Sequence, residues 1–356
     1  MKCITGDKWL RVTGYWLMVT GLMLIAGCSS DSTGTGEQRT DNTASSLQVM
    51  PYVANYQEGG SLMRAVSTGY NLYTPTSDLA IGLFVCHGSD EPTASLIRYN
   101  NGVWHSQAKV EANEPYTIYG YMPRRDPITA TMTKNTSNVV MTLSNVDAVI
   151  ADDVCFVTGV KDMEGDLCQG AFDYTGKSEN NYVRLLMDHL FASINFKFMV
   201  DEEYKTLRTI KLKSLTLTTP KASVNATVTL TPPNTTDADL VTSVSYTVTP
   251  ANTGTNTAMF FESLEGVDIS DESITKAFCC FVPQNNVSKA LTLITTYDVY
   301  DRYGNKIREN STAINQLPSN LSAARGQRLT LDLKVIPTYL YQLSEKDLDN
   351  PTIIIE

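Results

Sequence analysis

Ala192-Ser193-Ile194-Asn195-Phe196-Lys197-Phe198-Met199-Val200 alternates side-chain character with a period of two. Ala192, Ile194, Phe196, Phe198 and Val200 fall on one face, and Ser193, Asn195 and Lys197 on the other. That period belongs to a half-buried β-strand, not to a helix. Shorter versions recur towards the N-terminus: 47–53, 81–86, 102–108, Pro115–Met122, 139–143 and 154–158 each read as strands bounded by turn residues. Pro51 lacks a backbone N–H, which assigns 47–53 to a sheet edge.

The second half reads the same way. Ile210 and Leu212 share one parity, and Leu215 and Leu217 take the other. A β-bulge near Lys213-Ser214 would return all four to one core face. Leu291, Leu293, Tyr297 and Val299 share a face, and Asp301-Arg302-Tyr303-Gly304-Asn305 reads as the hairpin turn that follows. Leu329, Leu331, Leu333 and Val335 alternate with Thr330, Asp332 and Lys334, and the chain closes on Thr352-Ile353-Ile354-Ile355. Helical expectations are confined to 179–190 and 343–349. There is no βαβ alternation. The fold class is all-β, with one sandwich or Greek-key barrel per domain.

The N-terminus has a different composition. Lys2, Lys8 and Arg11 precede an apolar run from near Val12 to Leu24-Ile25-Ala26-Gly27-Cys28. A basic start, an apolar middle and small residues at a boundary describe a secretory signal peptide over 1–27. The run falls short of the ~20 residues needed to span a bilayer. Residues 28–46 are nearly all small and polar and read as a flexible tether. The mature chain is long enough for about two domains. A composition shift at Asp201-Glu202-Glu203 places them at 47–202 and 203–356.

Composition excludes several functions. The net charge of −10 and the lack of a Lys/Arg cluster with interleaved aromatics argue against nucleic acid as a partner. No CxxC, HExxH or Gly-x-Ser-x-Gly pattern is present, and His87, His105 and His189 stand apart in sequence. No cofactor, no metal and no enzymatic activity are expected. Asp152-Asp153 and Asp298-x-x-Asp301 read as solvated turn acids. Of the seven Cys, Cys279 and Cys280 are adjacent in a strand and point to opposite faces. A bond between Cys155 and Cys168 across a hairpin is the one disulfide weighed; buried free thiols are the plainer expectation. Tyr99, Trp104 and Tyr119 are candidates for a sugar-stacking platform.

Two resemblances add to this. Leu24-Ile25-Ala26-Gly27-Cys28 resembles the bacterial lipobox, which implies lipid on the Cys28 sulfur, cleavage before Cys28 and acylation of the new amine. Four further stretches resemble the Bacteroidales fimbrillin family, in its minor-fimbrillin-like group of type V pilin lipoproteins. They are Met63-Arg64-Ala65 with Asp78 to Phe84; Tyr116 to Pro123; Asp188 to Phe196; and Phe281-Val282-Pro283-Gln284 with the Tyr297-to-Asn305 hairpin and Gly326. The resemblance implies two tandem transthyretin-like β-sandwiches and a fimbrial subunit or accessory role in adhesion, at the outer membrane and in the fimbrium. It implies assembly by strand exchange: a protease cuts after an Arg, the first strand leaves, and the C-terminal strand of another subunit enters the groove. Arg64 is the candidate cut and Arg39 the second. Leu47, Val49 and Val53 belong to the candidate displaced strand. Thr352, Ile353, Ile354 and Ile355 belong to the candidate donor strand. The implied partners are the membrane through its lipid, other fimbrial subunits, and a host protein or glycan ligand. A non-polymerising surface lipoprotein that binds glycans is the alternative.

Overall fold

Ala192–Val200 forms a strand, and its predicted apolar face is the buried one: Ala192, Ile194, Phe196 and Phe198 are all fully enclosed. The computed structural model describes residues 44–58, 69–75, 77–147, 149–150, 153–163, 172–219, 223–231, 243–250, 257–269, 274–281, 291–317, 323–339 and 346–355. Almost every element is a strand, and the only α-helix among these residues is Glu202–Leu207. Asp201 caps that helix, accepting from the N–H groups of Glu203 and Tyr204. No helix among the described residues is long and apolar enough to cross a membrane.

The strands enclose two cores. The first lies between a nine-stranded sheet and a four-stranded sheet. Across the large sheet the strands run Tyr70–Leu72, Gln48–Ala54, Tyr182–His189, Cys155–Asp162, Pro115–Met122, Leu79–His87, Thr93–Asn100 and Val103–Ser106, and Asp173–Thr175 also pairs with Pro115–Met122. The four-stranded sheet runs Thr129–Lys134, Val139–Asp147, Ser223–Thr231 and Ser243–Pro250. Its contribution alternates: Val139, Met141 and Leu143 from one strand, Val224, Ala226, Val228 and Leu230 from the next. The second core lies between a six-stranded and a four-stranded sheet. The former contains Ala192–Val200 flanked by Ile274–Phe281 and by Gln327–Tyr339, with Lys346–Ile355 on the outer edge. The latter contains Thr257–Asp268, Arg208–Thr219, Thr292–Asp301 and Lys306–Gln316.

Several expectations hold in detail. Register shifts between Leu212 and Ser214, and Ile210, Leu212, Leu215 and Leu217 are all buried. Asp301 accepts from the N–H groups of Tyr303 and Asn305 and from Asn305 Nδ2 (2.9 Å), and Gly304 takes φ +83°, which only Gly adopts freely. Leu291, Leu293, Tyr297 and Val299 share the buried face of their strand.

Other expectations are corrected. Residues 182–189 are a strand, not a helix: Val183, Leu185, Leu186 and Met187 are all fully buried. A strand covered on both faces loses its alternation and looks helical in sequence. Residues 346–349 likewise begin a strand. The cores change over between Phe191 and Ala192, ahead of the acidic run, which is the helix cap. Ser223–Thr231 then returns to the first core, while Val149–Ile150 pairs with Ile274–Phe281 in the second body of sheets.

Candidate functional site: the terminal strands and the cleft beside His189

The leading strand, Gln48–Ala54, sits between Tyr182–His189, to which it is parallel, and the short Tyr70–Leu72, to which it is antiparallel. Leu47, Val49 and Val53 point into the first core at 0%, 3% and 9% exposure. Each such burial stabilises by about 1.5–3 kcal/mol. The expectation of a plain edge strand is therefore only half right. Gln48 N–H donates to Asn181 O, so alternate N–H groups from Gln48 onward face Tyr182–His189. Pro51 falls on the other parity, where a missing N–H costs nothing, and its carbonyl accepts from Tyr73 N–H (2.9 Å). Tyr70–Leu72 reaches only Tyr52, Val53 and Ala54, leaving the first half of the strand outside that pairing.

The trailing strand, Lys346–Ile355, lies antiparallel on Gln327–Tyr339 at the sheet's edge. Its last residues alternate as a strand with one covered face should: Ile353 is buried, Ile354 is 36% exposed, and Thr352 and Ile355 are half-buried. Tyr297 Oη donates to Pro351 O (3.0 Å), Asn315 Nδ2 donates to Ile353 O, and Arg208 pairs with Asp349 at 2.9 Å. Cys28, Arg39 and Arg64 lie outside the described residues, so lipidation and processing keep the standing of sequence expectations.

Where the leading strand ends, the chain crosses from one core to the other. Gln57–Glu58 pairs with Gln327 and Arg328 of the six-stranded sheet. Gly326 tightens this crossing: its N–H donates to Phe191 O and its carbonyl accepts from Gln57 N–H, both at 2.9 Å. Its φ of +71° again requires Gly. A cleft of about 380 Å³ opens here, lined in part by Ala54, Tyr56, Tyr73, Asp153, His189 and Arg328.

His189 is not isolated in space. Its Nε2 lies 2.7 Å from Ala54 O, its Nδ1 lies 2.7 Å from Asp153 Oδ2, and Cys155 Sγ lies 3.7 Å from the same Nδ1. The Tyr56 ring stacks on the imidazole at 3.6 Å, and its hydroxyl donates to Asp153 Oδ1 (2.9 Å). Arg328 covers the far side of Tyr56. Next to it, Asp188 accepts from Tyr70 Oη (2.8 Å) and pairs with Arg325 (3.2 Å). Asp153 is thus a half-buried partner of His189 and Tyr56, not a solvated turn acid. Cys155 and His189 are directly opposite each other on adjacent strands. That pairing was readable only once 182–189 was known to be a strand. Cys155 is buried beside His189, and Cys168, the other half of the weighed disulfide, lies outside the described residues.

The remaining candidates separate. Asp298 is buried, with Lys306 at 2.9 Å and Asn310 N–H at 2.8 Å. Burial pushes its carboxyl up, but the Asn310 and Lys306 contacts together hold it below the usual range. Asp301 does remain a turn acid. His87 is raised above its ordinary value, first by its hydrogen bond to Glu114. Tyr119 leaves the proposed sugar platform: it is buried and stacked on Phe172 at 4.6 Å. Tyr99 and Trp104 remain as a cross-strand pair with centroids 5.0 Å apart, tilted by 55°.

No family model and no curated protein matches this sequence. Among solved structures, a candidate cell adhesion protein of Bacteroides fragilis is 10% identical, covering 88% of this chain and 97% of its own, with a TM-score of 0.41. A fimbrial protein of Bacteroides vulgatus is 13% identical, covering 86% and 98%, with a TM-score of 0.38. The fimbrial anchor protein Mfa2 of Porphyromonas gingivalis is 11% identical, covering 86% and 95%, with a TM-score of 0.26. By their descriptions, these three are a cell-adhesion protein, a fimbrial protein and a fimbrial anchor protein.

Proposed function

We propose that the chain is a fimbrial (type V pilus) subunit or accessory protein, delivered to the outer membrane as a lipoprotein through Cys28 and assembled by protease-triggered strand exchange in support of adhesion. One observation carries the reading. The leading strand supplies Leu47, Val49 and Val53 to the first core, and Arg64 follows it in sequence. A cut after Arg64 frees the segment from Cys28 to Arg64 as one piece. Its departure uncovers the edge of Tyr182–His189 together with the apolar surface of Val183, Leu185 and Met187. An extended segment with alternating apolar side chains satisfies both the open backbone groups and the slot. Residues 352–355 of another copy, or of a related subunit, have that character. A cut after Arg39 has a different consequence: it severs the tether and leaves the leading strand seated. In this reading the tether from Cys28 ends where Ser45–Ser46 pairs with Lys109–Val110, the first sandwich takes 47–191 together with Ser223–Thr231, and Ala192–Val200 opens the second.

Mass spectrometry of N-termini in purified filaments tests this. A mature chain beginning at Ala65 is expected. Filaments made of chains that begin at Cys28 would overturn it. Deleting 351–356 should abolish high-molecular-weight ladders on gels.

A further inference from the structure

The geometry points to a zinc site formed by Asp153, Cys155 and His189. One potential ligand atom from each of Asp153, Cys155 and His189 lies within 4.8 Å of the other two. The three residues come from a loop, the start of one strand and the end of its antiparallel neighbour, so two packed strands fix the spacing. Oxygen, nitrogen and sulfur together suit a borderline-soft ion that takes four ligands in a tetrahedron.

The surroundings orient these atoms as a metal centre requires. Ala54 O only accepts, so Nε2 carries a proton and donates it there at 2.7 Å. This is the second-shell contact that fixes a ligating imidazole in the tautomer with its other nitrogen turned to the ion. Tyr56 Oη holds Asp153 Oδ1, which directs Oδ2 to the common point. Nδ1 to Sγ is 3.7 Å, close to the separation of donors sharing one zinc; Nδ1 to Oδ2 is 2.7 Å and must open by roughly half an ångström. Asp153 can supply that movement, because it leads into its strand from a loop and is 14% exposed, against 3% for His189. At 2.7 Å a proton lies between Nδ1 and Oδ2, and the ion takes its place. On binding, the thiol proton of Cys155 and the proton between Nδ1 and Oδ2 leave to bulk water, and a thiolate, an imidazole and a carboxylate remain. The cleft lined by Asp153 and His189 admits the ion and a water as fourth ligand. The site belongs to the chain uncut at Arg64, because a cut there removes Ala54 and Tyr56 and with them the contacts that orient His189 and Asp153.

Titration of the reduced, chelator-treated chain 29–356, uncut at Arg64, with ZnCl2 tests the assignment. One ion per chain is expected, with the thermal midpoint raised by roughly 5 °C at a hundredfold excess over Kd. Co2+ in its place should give a thiolate-to-cobalt charge-transfer band. Cys155→Ser and His189→Gln should each weaken zinc binding at least tenfold. Where either variant fails to fold, Asp153→Asn, at a half-buried position, gives the same comparison with a smaller loss. Absence of zinc binding and of the cobalt band in the wild-type chain overturns the proposal. So does undiminished binding in folded Cys155→Ser, which would place the ion on other thiols.

Discussion

The leading and trailing strands do opposite jobs with similar material. Gln48–Ala54 is paired on both sides over its second half, and its core face is Leu47, Val49 and Val53. Lys346–Ile355 pairs with one strand and buries Pro351 and Ile353 among its described side chains, while Ile354 faces outward. Removing the first leaves a slot inside a sheet; removing the second only moves the sheet's edge inward by one strand. A sequence that exchanges strands needs this asymmetry: a plug that is costly to lose, and a donor that is cheap to detach.

The largest expected effect comes from removing each strand in turn. Proteolytic release of the segment through residue 58 should abolish cooperative unfolding of the first core until a synthetic peptide spanning 44–58 is added back. Deleting 351–356 should leave a cooperative transition at a lower midpoint in calorimetry. Equal damage from both would end the comparison. Next is Val49→Asp, which buries an unpaired carboxylate and should cost about 4 kcal/mol or more in urea titration. Ile354→Asp on the exposed face should stay within about 0.5 kcal/mol. Tyr297→Phe removes the hydroxyl that donates to Pro351 O and should loosen the trailing strand by about 1 kcal/mol, seen as faster hydrogen exchange there.

The smallest effects depend on pH. Asp298 titrates below its ordinary value in the folded chain, so its contribution is complete above the usual carboxylate range and fades as pH falls through the lowered value. His87 is raised, so its smaller, solvent-screened contribution is complete below its ordinary value and fades as pH rises through the raised one. Asp298→Asn should reduce the acid-side slope of stability, to which Asp301 also contributes, and His87→Gln should alter only the slope near neutrality.

What was legible in the sequence follows the period of two. Ala192–Val200 has one wet and one dry face, and the Leu212-to-Leu215 parity switch could be read as a bulge because both flanks kept their alternation. Tyr182–His189 hid because Val183, Leu185, Leu186 and Met187 bury both faces, which erases the signal. With that strand misread, Cys155 and His189 could not be placed opposite each other, and the cleft cluster stayed invisible. Ser223–Thr231 alternates well, but alternation says nothing of which core a strand serves; only the pairing of Met141 with Val228 and Val139 with Leu230 decides it.

That return of Ser223–Thr231 has a consequence in time. A chain that emerges N-terminus first cannot close its first core when residue 191 appears. Val224, Ala226, Val228 and Leu230 are still to come, and the second core has meanwhile claimed Ala192 to Phe198. The first core therefore closes only after Leu230 is made, and the second, which needs Leu333, Val335 and Ile353, later still. Until Leu230 arrives, the inner face of the large sheet stands bare, with contacts of high sequence separation still to be made. A chain built this way carries a bare apolar face for most of its synthesis, the condition under which unfinished sheets associate with one another.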